Sequence, residues 1–163
     1  MPFSLPANFN PGDSYTNTHA NNVAAAINAI VNNMASAYVA ASEGVTNTTT
    51  YTDLTTTTDQ VTVTIGQSGA AIVFISSQTT INQASGIGLM AFAISGANTQ
   101  AATDTYAIGY QAYTTGASNF SGSPFVVPGL SPGSTTFKLK YRNFASGYTS
   151  TFTNRRIAVI PFP

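Results

Sequence analysis

Charge is scarce in this chain of 163 residues. Lys, Arg, Asp and Glu together supply 6% of it, against about 25% in a typical soluble domain. So few Lys and Arg residues argue against nucleic acid as a partner, because a phosphate backbone is held by many of them. Cysteine is absent, which excludes a disulfide-stapled scaffold, a cysteine nucleophile and a thiolate metal site. There is one histidine, His19, and no Trp. One imidazole is too little for a histidine zinc site, and no positioned Ser and Asp mark a hydrolytic triad around it. No stretch approaches the roughly 18 apolar residues of a membrane-spanning helix, so no membrane insertion is expected. The opening MPFSLPANFNPGD lacks a basic segment followed by an apolar core, and does not read as a signal peptide.

What is present is apolar and β-prone. Hydrophobic residues make up 43% of the chain, with 10 Phe and 8 Tyr, which is enough to bury a core and unlike a disordered composition. Asn, Thr, Ser and Gln occupy the positions that charges usually fill. Net charge is zero, so the surface has little soluble repulsion and suits packing against partners. The few charges are segregated. All acids, Asp13, Glu43, Asp53, Asp59 and Asp104, precede all bases, Lys138, Lys140, Arg142, Arg155 and Arg156.

Residues 1–16 place Phe3, Leu5 and Phe9 among Pro2, Pro6 and Pro11-Gly12. This predicts an extended arm whose apolar side chains dock on a neighbour or fold back over their own domain. Residues 17–41 predict an amphipathic helix. Val23, Ile27, Ile30, Met34, Ala37 and Ala41 recur at spacings of four and three, a heptad stripe. It would self-associate, as in a trimer, or pack on its own chain's sheet. Residues 42–49 predict a linker. From about residue 50 to 163 the pattern is of some eight short strands with turns between them and no second helix. VTVTI alternates Val61, Val63 and Ile65 against Thr. AAIVFIS (70–76) is continuously apolar, a central strand covered on both faces either by a second layer or by an oligomer core. FKLKYR turns Phe137, Leu139 and Tyr141 one way and Lys138, Lys140 and Arg142 the other. The fold class expected is mainly β, an antiparallel jelly-roll-like sandwich preceded by the arm and one helix.

Chemistry is sparse. Asp53, Asp59 and Asp104 have no spacing that pairs them in one cleft for glycoside hydrolysis, nor the dense loop of a calcium site. No catalytic residue, metal or cofactor is expected. Lys138, Lys140 and Arg142, with Arg155 and Arg156, form the densest charge. They are candidates for partner contact, against the plainer reading of a solvated strand face that discourages edge pairing. Tyr106, Tyr110 and Tyr113 are candidates for stacking on a glycan, or else for filling the sheet or a subunit interface.

NPGDSYTNTHANNVAAAINAIV is similar to the attachment segments of small virion proteins of tailed bacteriophages. The stretches YTDL (51–54), VTVTIGQSGAAIVFIS (61–76), MAFAISGA (90–97), VPGLSPGSTTFKLKYR (127–142) and NRRIAVIPF (154–162) resemble their compact head-fibre, decoration or tail-fibre domains. The resemblance implies a tumour-necrosis-factor-like jelly-roll, a homotrimer anchored by its N-terminal part on the virion surface. Its partners would be phage capsid or tail proteins, with a host-surface glycan or receptor as the ligand of a tail adhesin. The short chain without a fibrous shaft points to the head. VPGLSPGSTTF also resembles a turn and strand of fibronectin type III modules, an analogy weakened by the missing Trp.

Overall fold

Strand alternation in the sequence becomes alternation in space. A computed structural model of the protein describes residues 17–163. The expected arm, with Phe3, Leu5 and Phe9, lies outside the described residues. The chain runs through one helix, α1 (Asn17–Val31), and nine strands: β1 (Ala35–Val39), β2 (Glu43–Thr46), β3 (Gln60–Ile65), β4 (Ala71–Ile81), β5 (Ile87–Gly96), β6 (Ile108–Gln111), β7 (Ser118–Val127), β8 (Gly133–Asn143) and β9 (Thr149–Pro161).

Two antiparallel sheets form. Sheet A has the order β1-β9-β4-β7, with β2 also paired to β9, and sheet B has the order β3-β8-β5-β6. Consecutive strands from β3 onward mostly cross between the sheets, the connectivity of a jelly-roll. The inner faces supply the core. Val73, Ile75, Ile157 and Val159 of sheet A meet Met90, Phe92, Phe137 and Leu139 of sheet B, all buried. At its centre Phe92 stacks on Tyr106 at 5.2 Å between ring centroids and meets Phe125 and Phe137 at 6.2 and 5.9 Å.

The helix ends ten residues before the expected boundary at Ala41. Asn32 and Asn33 close its last turn, and both are weak helix formers. Residues 35–39 then pair with 155–159 of β9, and 43–46 with 149–152. The segment expected as helix end and linker is therefore part of the sandwich, which begins at residue 35 rather than 50. Ala-rich sequence tolerates either state, and the open edge of a 13-residue strand decides for β. Residues 51–55 make only a bridge, Thr52 to Tyr141.

Asn33 covers part of an edge. Its side-chain amide accepts from Thr64 N–H (2.9 Å) and donates to Thr64 C=O. It thus imitates a strand on β3, the edge of sheet B. Along α1, Ile27 and Val31 stand exposed, as does Met34 just beyond it.

A single residue reverses the facing of β9. The β4–β9 register shifts between Ser76 and Gln78, where β9 carries one residue more than β4. Asn154 there has φ +54°. Ser150 and Phe152 point inward before this bulge, Arg155, Ile157 and Val159 after it. The bulge therefore turns Arg155 into the core.

Phe92→Ala removes the ring that joins the central aromatic cluster, with an expected loss of about 3–5 kcal/mol of unfolding free energy, measured by urea denaturation. Phe144→Ala, at an exposed ring, should change it by less than about 1 kcal/mol.

Candidate assembly face and sheet B cleft

The outer face of sheet A carries contiguous rows of apolar side chains. Strand register sets Ile160, Ile72 and Val126 side by side, and in the next row Ala158, Phe74 and Pro124. Phe74 is 41% exposed and Val126 62% exposed, on a sheet whose other face forms the core. Phe120, farther along β7, is also open. Single exposed apolar residues are ordinary, but contiguous rows of them mark contact surfaces. The run AAIVFIS was expected to be covered on both faces. Within one chain only the inner face is covered.

Around Arg155 lies a buried ionic cluster. The guanidinium is fully buried and meets Glu43 Oε2 at 2.8 Å, Asp59 Oδ2 at 3.4 Å and the Ala41 carbonyl at 3.1 Å. It also sits 5.5 Å from the centre of the Tyr141 ring, and Tyr141 O–H donates to Asp59. Thr56 donates to Glu43 from its N–H and its hydroxyl. The cluster ties β2 and β9 of sheet A to β8 of sheet B and to the connection 47–59. Burial pushes the Asp59 carboxyl above its ordinary value of 3.8, against the opposing pull of Tyr141 and Arg155. Burial also raises Glu43, but hydrogen bonds from Thr56 and Arg155 outweigh it and hold Glu43 below 4.5. Burial and the Asp59 charge push the Tyr141 hydroxyl strongly up, so it stays a donor.

The outer face of sheet B carries a cleft of about 550 Å³. Its floor is Ala93, Lys140 and Arg142, and its walls are Thr49–Tyr51 and Ala101–Ala102. Asp53 holds both Lys138 and Lys140, at 3.0 and 2.9 Å. Asp104 holds Arg142 and accepts from Tyr51 O–H at 2.8 Å. Arg142 lies 5.2 Å from the Tyr51 ring centre and 5.7 Å from that of Phe144. Asp104 is held low by Arg142 and Tyr51. Burial would raise Asp53, but Lys140 and Lys138 pull it below 3.8.

The residues proposed from sequence divide accordingly. Lys138, Lys140 and Arg142 do share one outward face, each paired within the chain. Arg155 is excluded from partner contact by its burial. Arg156 is exposed on sheet A, 4.3 Å over the Tyr38 ring. Tyr106, Tyr110 and Tyr113 do not form one stacking platform. Tyr106 belongs to the core cluster, Tyr110 packs against the small cluster of Ile81, Ala112 and Tyr148, and Tyr113 alone is open, 87% exposed. Tyr106 ends a short 3-10 turn at 104–106 and Tyr113 lies beyond Gln111, where β6 ends, so only Tyr110 is on the strand. The three carboxylates Asp53, Asp59 and Asp104 each have separate cationic partners, and no group of three or more metal-ligating acids or His converges among the described residues. Tyr51 and the β7 members of the exposed row, Pro124 and Val126, were missed; the β4 members lie in the run 70–76, which the sequence marked as apolar on both faces.

Two pH effects of opposite sign follow. Asp59, with its raised pKa, costs stability while ionised, and this cost is relieved as pH falls toward 3.8. Glu43, Asp53 and Asp104, with lowered pKa values, add stability above their ordinary values and lose it as pH falls through the folded ones. Urea unfolding across pH should show a shallow maximum on the acid side of neutrality, then a steep loss below about pH 4. Asp59→Asn should remove the maximum and keep the loss. Arg155→Ala, which strands Asp59 in the interior, should cost about 3–5 kcal/mol near neutral pH.

No protein-family model and no curated protein sequence matches the chain. Solved structures do match in shape. One is the Eiger TNF structure from S. frugiperda, at a TM-score of 0.50 and 11% identity, covering 80% of this chain and 94% of that one. Another is infectious bursal disease virus, Gx strain, at a TM-score of 0.52 and 14% identity, covering 79% of this chain. The chain spans 32% of that viral chain. At such identities the likeness is one of fold, and with the strand order above it shows that residues 35–163 form a jelly-roll-like antiparallel sandwich.

Proposed function

We propose that the protein is a non-enzymatic structural subunit of a tailed-phage virion, a head decoration or head-fibre protein that assembles as a homotrimer on the virion surface. The observation that carries this reading is the uncovered outer face of sheet A. The apolar rows through Ile72 and Phe74 belong to a central strand, where solvent contact is costly. At about 25 cal/mol per Å² of apolar surface, covering them supplies a driving force for association. A threefold ring uses two different patches per subunit, so this face would receive another part of a neighbouring copy.

The helix α1 supports the same arrangement. A 15-residue helix is marginal alone, and Ile27, Val31 and Met34 are left open by its own chain. It leads directly into β1 at the edge of sheet A, so copies meeting through that sheet bring their helices together. The N-terminal region is then the anchor on capsid or tail proteins. Scarce charge, spent mostly on internal ion pairs, suits a shell component more than an enzyme. The tail-adhesin reading is favoured by one separate feature, the cleft on sheet B.

Light scattering of the full chain should give three times the monomer mass at micromolar concentration. Phe74→Glu or Val126→Glu should yield a folded monomer, because each sets a charge in the apolar contact. Removing residues 1–32 should leave the sandwich folded and weaken the trimer without abolishing it. A wild-type monomer, or a trimer untouched by both Glu substitutions, would overturn the proposed interface.

A further inference from the structure

The cleft on sheet B lies on the other sheet of the sandwich from the apolar rows of sheet A. Its volume falls within the range of small-molecule sites, about 300–1,000 Å³. Its lining is selective in kind. Tyr51 offers a partly buried ring, fixed at its hydroxyl by Asp104 and along its face by Arg142. A ring held in this way stacks on the C–H face of a sugar at little cost in side-chain freedom. Ala101 and Ala102 keep the opposite wall low.

Charge decides the class of sugar. Lys138, Lys140 and Arg142 stand against Asp53 and Asp104, so this face carries one positive charge in excess. One carboxylate, Asp53, serves two ammonium groups. An ammonium has three donors, so Lys140, on the cleft floor, has donors to spare for an incoming anion. Beside the cleft, Asp53 is partly exposed and uses only Oδ1 in its ion pairs, which leaves Oδ2 able to accept from a sugar hydroxyl. We propose that the cleft between Tyr51 and Ala101, floored by Lys140 and Arg142, binds a saccharide bearing a carboxylate, with Tyr51 stacking on the ring and Lys140 holding the acid.

The connection 47–59 is held for this role from beneath. Thr52 exchanges two backbone hydrogen bonds with Tyr141, both 2.9 Å. Thr56 and Asp59 are tied into the Arg155 cluster. Tyr51 and Asp53 therefore stand on an anchored segment, which favours a preformed site.

The test is a titration of the ¹⁵N-labelled full chain with methyl β-glucuronide and methyl β-glucoside, which differ at C6 by the acid. The glucuronide should shift amides of residues 49–53, 101–104 and 140–142 with millimolar or tighter affinity, and bind at least about fivefold more tightly than the glucoside. Tyr51→Ala should weaken it about tenfold. Lys140→Gln should abolish the preference for the acid, and Ala101→Leu, which fills the mouth without changing charge, should weaken both sugars. Thermal melting within a few degrees of wild type establishes that each variant is folded. No shift at roughly 20 mM glucuronide, shifts confined to other surfaces, equal affinity for the two sugars, or identical shifts from acetate alone would each overturn the proposal. None of these readings depends on the oligomeric state, so failure here leaves the trimer question separate.

Discussion

The bulge at Asn154 is the constraint on which much of the sandwich depends. β9 is the common partner of β1, β2 and β4, so any change of its register reaches every neighbour in sheet A. One extra residue on β9 exchanges its inward and outward sets. Ser150 and Phe152 fill the interior before it, and Arg155, Ile157 and Val159 after it. Without the bulge, either Phe152 or Ile157 would face solvent. With it, a guanidinium enters the core and must be compensated.

The compensation organises the rest of that end of the molecule. Arg155 draws in Glu43 from β2, Asp59 from the connection before β3, and Tyr141 from β8. A buried ion group of this kind gives little net stability over an apolar packing, because desolvation opposes the attraction. Its consequence is positional. It closes the sheets over one another, and it holds the segment carrying Tyr51 and Asp53 along the edge of β8. The scarce charge of the chain is therefore concentrated where it fixes geometry, in this cluster and in the pairs over sheet B.

The two outer faces of the sandwich divide the surface by chemistry. The outer face of sheet A carries the apolar rows and uncharged polar side chains, with little charge beyond Arg156. Sheet B carries Lys138, Lys140 and Arg142 with their acids. This separation is what allows one face to be buried in an assembly while the other remains in contact with solvent. It also explains why the charged strand face of β8 was readable in advance and yet had a different meaning: its three cations share two carboxylates within the chain, so most of their charge is matched before any partner arrives.

Local pattern determined a good part of this structure. The alternation of FKLKYR placed Phe137, Leu139 and Tyr141 in the core and their neighbours outside, because a strand has a period of two wherever one face is buried. The repeated short strands and turns with no second helix led to the jelly-roll class. Tertiary structure decided what local pattern leaves equal. Residues 35–46 became strands because β9 had an open edge to pair with, although their Ala-rich sequence suits a helix. Arg155 went inside and Arg156 outside because one bulge resets a two-residue period, and adjacent arginines carry no sign of it. Tyr106 and Tyr110 share a strand parity in sequence, yet a 3-10 turn at 104–106 takes Tyr106 off the strand, and Tyr113 lies beyond the end of β6. Tyr51 met Asp104 and Arg142 only because chain segments far apart in sequence close over the same face. Contacts of that kind depend on the packing of whole sheets, which no window of neighbouring residues contains.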